Sequence, residues 1–162
     1  MPAAQSADIL RRLAAGEVEF IVVGMTAGVL HGAPVSTFDL DIVHRRTAEN
    51  IDRLLRVLAA LDAVYRKDPR NLRPTASYLA SPGHQLLRTS LGDLDCLGTI
   101  DDNKSYEDLL PRTIELALAD GHKLRVLELA ALIEAKERAA RPKDLAALPY
   151  LRATLDEIRR RS

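Results

Sequence analysis

Two aspartates two positions apart, Asp39 and Asp41, stand at the head of an apolar run that continues through Ile42 and Val43. A strand over 39–43 has a side-chain period of two, so both carboxylates face one way. At an effective dielectric of about 20, two such charges roughly 7 Å apart repel by about 2 kcal/mol. A cation between them converts that repulsion into affinity. Carboxylates are hard oxygen ligands, so the expected ion is Mg²⁺ or Mn²⁺; zinc is disfavoured because no Cys or His cluster accompanies the pair. A third carboxylate, Asp95, lies in a second apolar run between Leu94 and Cys96. Burying it unpaired is expensive, and the ion at Asp39 and Asp41 is the economical partner. Asp93 is the alternative ligand, although its place beside Gly92 reads as a turn.

These residues need a rigid support, and the stretch FIVVGMTAGVLHGAPVSTFDLDIVH, residues 20–44, supplies one. It reads as a strand over 20–23, a glycine turn at Gly24, a short helix over 25–30, a loop over 31–38 and the acidic strand. Gly24 opens a helix whose free N–H groups and positive dipole end can hold a phosphate. Metal ligands and a phosphate cradle so close in sequence point to phosphoryl or nucleotidyl chemistry.

Around this unit the pattern predicts further elements. A helix over 6–15 is capped by Ser6 and stopped by Gly16. Thr47 caps a longer one carrying Ile51, Leu54, Leu55, Leu58 and Leu61. Residues 62–83 give a weak signal, with Val64 and Tyr65 starting a strand and 67–78 reading mostly as loop. Strands over 84–89 and 94–97 follow, joined by a turn containing Gly92 and Asp93. Ser105 and Asp108 form a capping box for a short helix closed by Pro111. Asp120 and Gly121 join a hairpin of 114–119 and 123–127. The helix over 128–139 buries Leu129, Leu132 and Ile133, and Lys136 falls on that same face, where an ammonium needs an anion or a route to water. Pro142 opens another helix with Leu145 and Leu148 inward, and Pro149 begins a last segment with Leu151, Leu155 and Ile158. Arg159, Arg160 and Arg161 read as a solvated tail. Arg141 and Lys143 sit in a first turn where the helix dipole disfavours cations, which favours a functional use.

At 162 residues the chain reads as a single domain over 1–162, with a core at about 18–127 and a helical part at about 128–160. Lys plus Arg equals Asp plus Glu at 23 each, so no global field argues for nucleic acid or membrane binding. The single cysteine, Cys96, excludes an intrachain disulfide, fits a reducing compartment and reads as a small core residue. No signal peptide or transmembrane run is visible, and a cytoplasmic protein is expected. His31 and His44 flank the central unit, and each reads as a structural residue because no second His or Cys stands at ligand spacing.

With these residues in view, the chain resembles the nucleotidyltransferase superfamily that includes DNA polymerase beta, and more narrowly a small bacterial subgroup related to AbiEii-type toxins of toxin-antitoxin systems. The superfamily pattern is a strand, Gly followed by Gly or Ser, a short helix, an acidic-x-acidic pair on the next strand, and a third carboxylate on a later one. Gly24, the pair Asp39 and Asp41, and Asp95 match it; the phrases HGAP, TFDLDIV, LGDLDCLG, SYEDLL and AKERAARPKDLAAL resemble the subgroup, so the likeness covers about 18–150. It implies an α+β fold, a mixed β-sheet flanked by helices with further helices at the C-terminal end. It also implies a Mg²⁺-dependent (or Mn²⁺-dependent) transfer of a nucleoside monophosphate from an NTP to a hydroxyl acceptor. Asp39, Asp41 and Asp95 would be catalytic and hold two ions. Gly24, Met25, Thr26, Lys136, Arg141 and Lys143 would bind the nucleotide. The sequence departs from the pattern at Met25, where a small residue is expected and Thr26 would supply a hydroxyl instead, and at Val35, where the subgroup often carries Arg. These departures support an alternative: a catalytically degenerate nucleotide sensor or partner-binding module. The acceptor, whether protein, RNA or small molecule, is not encoded in any visible motif; a homodimer through the C-terminal helices or a cognate regulator is the expected partner.

Overall fold

A computed structural model describes residues 4–37 and 39–162; Phe38, the expected end of the loop before the acidic pair, and residues 1–3 lie outside the described residues. Seven strands form one open mixed sheet. They are β1 (Phe20–Val23), β2 (Leu40–His44), β3 (Val64–Tyr65), β4 (His84–Thr89), β5 (Gly92–Leu97), β6 (Thr113–Ala117) and β7 (Lys123–Leu127), in the order β3-β4-β5-β2-β1-β7-β6. The inner strand β1 is apolar throughout, and all four of its residues are buried, as expected for a strand covered on both faces. β2 runs antiparallel to β1 and parallel to β5.

The helices flank the sheet in two packed groups. One contains α1 (Ala4–Ala15), α3 (Ala48–Ala60) and α4 (Ala76–Ala80); the other contains α2 (Gly24–Leu30), α6 (Leu129–Ala139) and α7 (Pro142–Arg161). A short helix, α5 (Tyr106–Leu109), runs into a 3-10 turn over Leu110–Arg112. Local capping explains several boundaries. Thr47 accepts from the Asn50 amide at the start of α3, and Ser105 and Asp108 form the predicted reciprocal cap.

Five expectations change. Ser6 lies buried within α1 rather than capping it. Residues 76–80 are helical rather than loop, because Thr75 caps them by accepting from the Tyr78 amide and Leu79 is fully buried beneath. β5 begins at Gly92, paired with Thr89, so the turn is Ser90 and Leu91, and Asp93 stands within the strand opposite Arg88. The Thr89 hydroxyl donates to the Gly92 carbonyl and accepts from the Leu91 amide, which closes the turn two residues early. Pro149 does not divide the last segment: α7 is continuous through it. Leu148 and Leu151 bury themselves on either side of that proline, and this anchoring holds one helix axis despite a cost of about 3 kcal/mol for an interior proline. On that axis Leu145 points outward and is 52% exposed, contrary to its expected inward position. Among the described residues no helix is long and apolar enough to cross a membrane.

Candidate active site

The sheet pairing assembles the acidic residues. In the parallel pairing of β2 and β5, Asp41 stands directly opposite Asp95, and on its other side Asp41 pairs with Val23 at the end of β1. Gly24 follows with φ +65°, in the left-handed region that favours glycine. A Cβ there would come within 2.6 Å of Asp41 Oδ2, so the glycine is needed for conformation and for space. Asp39 precedes β2 rather than lying in it. Its carbonyl accepts from the Thr26 hydroxyl at 3.1 Å and the Thr37 hydroxyl at 3.0 Å, which fixes the entry into the strand.

Burial, the Asp95 charge with a hydrogen bond shared between the two side chains, and the Asp39 charge push the Asp41 carboxyl up to about 7; Lys136 opposes them. Asp95 is 8% exposed and takes a different partner. Arg66, just after β3, grips both of its oxygens: Nη1 donates to Oδ1, and Nη2 donates to Oδ2 at 3.2 Å. The Arg66 Nε lies 3.7 Å from Asp93 Oδ2.

The same cleft, of about 850 Å³, is also lined by a basic wall of Lys136, Arg138, Arg141 and Lys143. The wall is organised by a buried anion. Asp144, with no exposed side-chain surface, accepts from Lys136 Nζ at 3.0 Å and from Arg141 Nε at 2.7 Å. Burial alone would raise its pKa, but the hydrogen bonds from Arg141 and Lys136 outweigh it and hold the carboxyl at about 2. Asp101 plays a similar part for Arg138, which donates to both its oxygens at 2.6 Å. Lys143 lines the cleft and makes no ion pair among the described residues.

Asp39, Asp41, Asp95, Gly24, Lys136, Arg141 and Lys143 thus all meet at one cleft. Met25 and Thr26 do not line it: Met25 packs against the core, and Thr26 is fully buried with its hydroxyl committed to Asp39. Arg66, Asp101, Arg138 and Asp144 are additional cleft residues that the sequence patterns did not single out. The histidines are structural. His31 Nε2 is 2.8 Å from the Leu127 carbonyl, and His44 Nε2 is 2.7 Å from that of Leu79. Cys96 is fully buried, and burial with the Asp95 charge raises its thiol pKa far above the usual range.

The donor chemistry fits one hard divalent cation on Asp39 and Asp41, a carboxylate pair whose repulsion it would relieve. A second ion sharing Asp95 fits poorly, because the permanent charge of Arg66 is bound to both its oxygens and repels a further cation; among the described residues no three His, Cys, Asp or Glu side chains form a ready-made cage.

The sequence matches no protein-family model and no curated protein. Among solved structures, the chain is similar to the 1.87 Å crystal structure of a candidate nucleotidyltransferase from Thermotoga maritima. Identity is 19%, the alignment covers 97% of this chain and 96% of the other, and the TM-score is 0.61. An acidic strand pair beside a glycine turn, in an open mixed sheet flanked by helices, is therefore set in a nucleotidyltransferase-like fold.

Proposed function

We propose that the protein transfers a nucleoside monophosphate from an NTP to a hydroxyl acceptor. The observation that carries this reading is the meeting, in one cleft, of Asp39 and Asp41 with the cations Lys136, Arg141 and Lys143. A triphosphate needs both: cations for its oxygens and carboxylates for the ion that accompanies it. When bound, a Mg²⁺ or Mn²⁺ ion on Asp39 and Asp41 supplies charge neutralisation at the reacting phosphate.

The chain's own residues do the rest by placement. Lys136 and Arg141, held by Asp144, present their charge to the phosphates, and Lys143 adds a further cation at the cleft. Gly24 lets the backbone approach Asp41 closely. In the transfer, the acceptor oxygen forms a bond to the α-phosphorus, the bond from that phosphorus to the bridging oxygen breaks, and pyrophosphate leaves with the electron pair. The acceptor's proton passes to solvent at the cleft. Incubation of the protein and extract fractions with α-labelled NTPs tests this: label should enter protein, RNA or a small molecule with wild type and not with Asp41→Ala.

A second reading, a nucleotide sensor or partner-binding module of toxin-antitoxin type, is favoured by the engagement of Asp95 with Arg66 and by Met25 packing into the core. It predicts nucleotide binding without label transfer.

A further inference from the structure

Arg66 is built into the acidic end of the cleft more firmly than a surface arginine would be. Its backbone amide donates to the Leu86 carbonyl at 3.2 Å, and its Nη1 donates to the Leu87 carbonyl at 3.1 Å as well as to Asp95. The side chain is 19% exposed, and its fork meets the carboxylate with two N–H groups while Nε faces Asp93. A bidentate guanidinium commits both carboxylate oxygens in the plane of the pair, the arrangement that makes arginine a fixed partner rather than a passing one. For Asp95 to give a remaining lone pair to a metal ion, a divalent charge must settle beside a permanent cation already bound to both oxygens. Asp39 and Asp41 carry no such partner: among the described residues neither carboxylate makes a salt bridge.

We propose that the cleft takes one divalent cation, on Asp39 and Asp41, and that Arg66 occupies the place on Asp95 where a two-ion centre would hold a second. Arg66 is a positioning residue in this arrangement. It holds both oxygens of Asp95, and it supplies at that end of the cleft a positive charge that does not depend on the concentration of free metal. Protein-bound ion count, rather than catalytic rate, is the property it sets. The inference rests on the nucleotide-binding reading above and deepens it.

Mn²⁺ counting by electron paramagnetic resonance tests it. The full chain is titrated with Mn²⁺ in the presence of each of the four α,β-methylene NTP analogues, and bound ions per protein-nucleotide complex are counted against analogue alone. The expected result is one ion for wild type, one for the charge-retaining Arg66→Lys, and two for Arg66→Gln. Thermal melting by circular dichroism checks that each variant is folded; if Arg66→Gln does not fold, the wild-type and Arg66→Lys counts carry the test. Two ions in wild type overturns the one-ion assignment, and one ion in a folded Arg66→Gln overturns the role given to Arg66; either result leaves nucleotidyl transfer standing. No nucleotide-dependent Mn²⁺ binding in wild type overturns the nucleotide-binding reading, and the one-ion assignment with it.

Discussion

Asp41 and Asp95 stand directly opposite each other across the parallel pairing of β2 and β5, yet only Asp95 has a cation of its own. One carboxylate of the pair is neutralised by Arg66. The other is left with a raised proton affinity beside an open cleft.

That asymmetry makes stability depend on pH in a defined direction. The Asp41 carboxyl is pushed up from 3.8 to about 7 in the folded chain, so between those values the folded state holds a proton that the unfolded chain has released. Its stability contribution is present below about pH 4 and is lost as pH rises through 7. Asp41→Asn has no such slope. Its melting temperature should exceed that of wild type by a margin that widens from pH 4 to 7 and stays constant above, and millimolar Mg²⁺ at pH 8 should narrow the margin by stabilising only wild type.

Gly24→Ala tests the close approach at the turn. The added Cβ meets Asp41 Oδ2 at 2.6 Å and the backbone is held at φ +65°, so a loss of at least about 1–2 kcal/mol is expected from the left-handed conformation alone. Urea denaturation should report that loss, and the displaced Asp41 carboxylate should weaken divalent-ion affinity in the same variant.

Removing the buried anion should loosen the basic wall. Asp144→Ala leaves Lys136, only 12% exposed, without its partner, and breaking a buried pair costs about 3 kcal/mol. Denaturation should show that cost. With a foldable Asp144→Asn, the affinity for NTP should fall while the fold is kept, because the amide retains the size of the carboxylate but not its charge.

Pro149→Ala should stabilise the chain, by as much as about 3 kcal/mol, because it restores a donor inside a continuous helix. A loss of stability would mean that the ring itself packs usefully.

The acidic centre was legible in the sequence because close spacing brings Asp39 and Asp41 to one cleft, although Asp39 precedes β2 and the strand's period of two does not reach it, and a buried carboxylate at Asp95 demands a partner. Caps at Thr47 and Ser105 were legible for the same reason. Arg66 was not. It lies in a stretch with no periodicity, and its partner is 29 residues away, reached only once β3, β4 and β5 pair. Asp144 was not singled out either. Its pairing with Lys136 depends on the corner at Ala140, where φ of +50° turns α7 back against α6. Pro149 misled because the rule for interior prolines is local, whereas Leu148 and Leu151 anchor the helix by tertiary packing.

The central claim, that the cleft binds a nucleotide through an ion on Asp39 and Asp41, is tested most directly by isothermal calorimetry with each NTP, with and without Mg²⁺, on wild type and Asp41→Asn. The account predicts binding to at least one NTP that requires Mg²⁺ and is lost in the variant. Binding indifferent to both Mg²⁺ and Asp41, or no binding to any NTP, would contradict it.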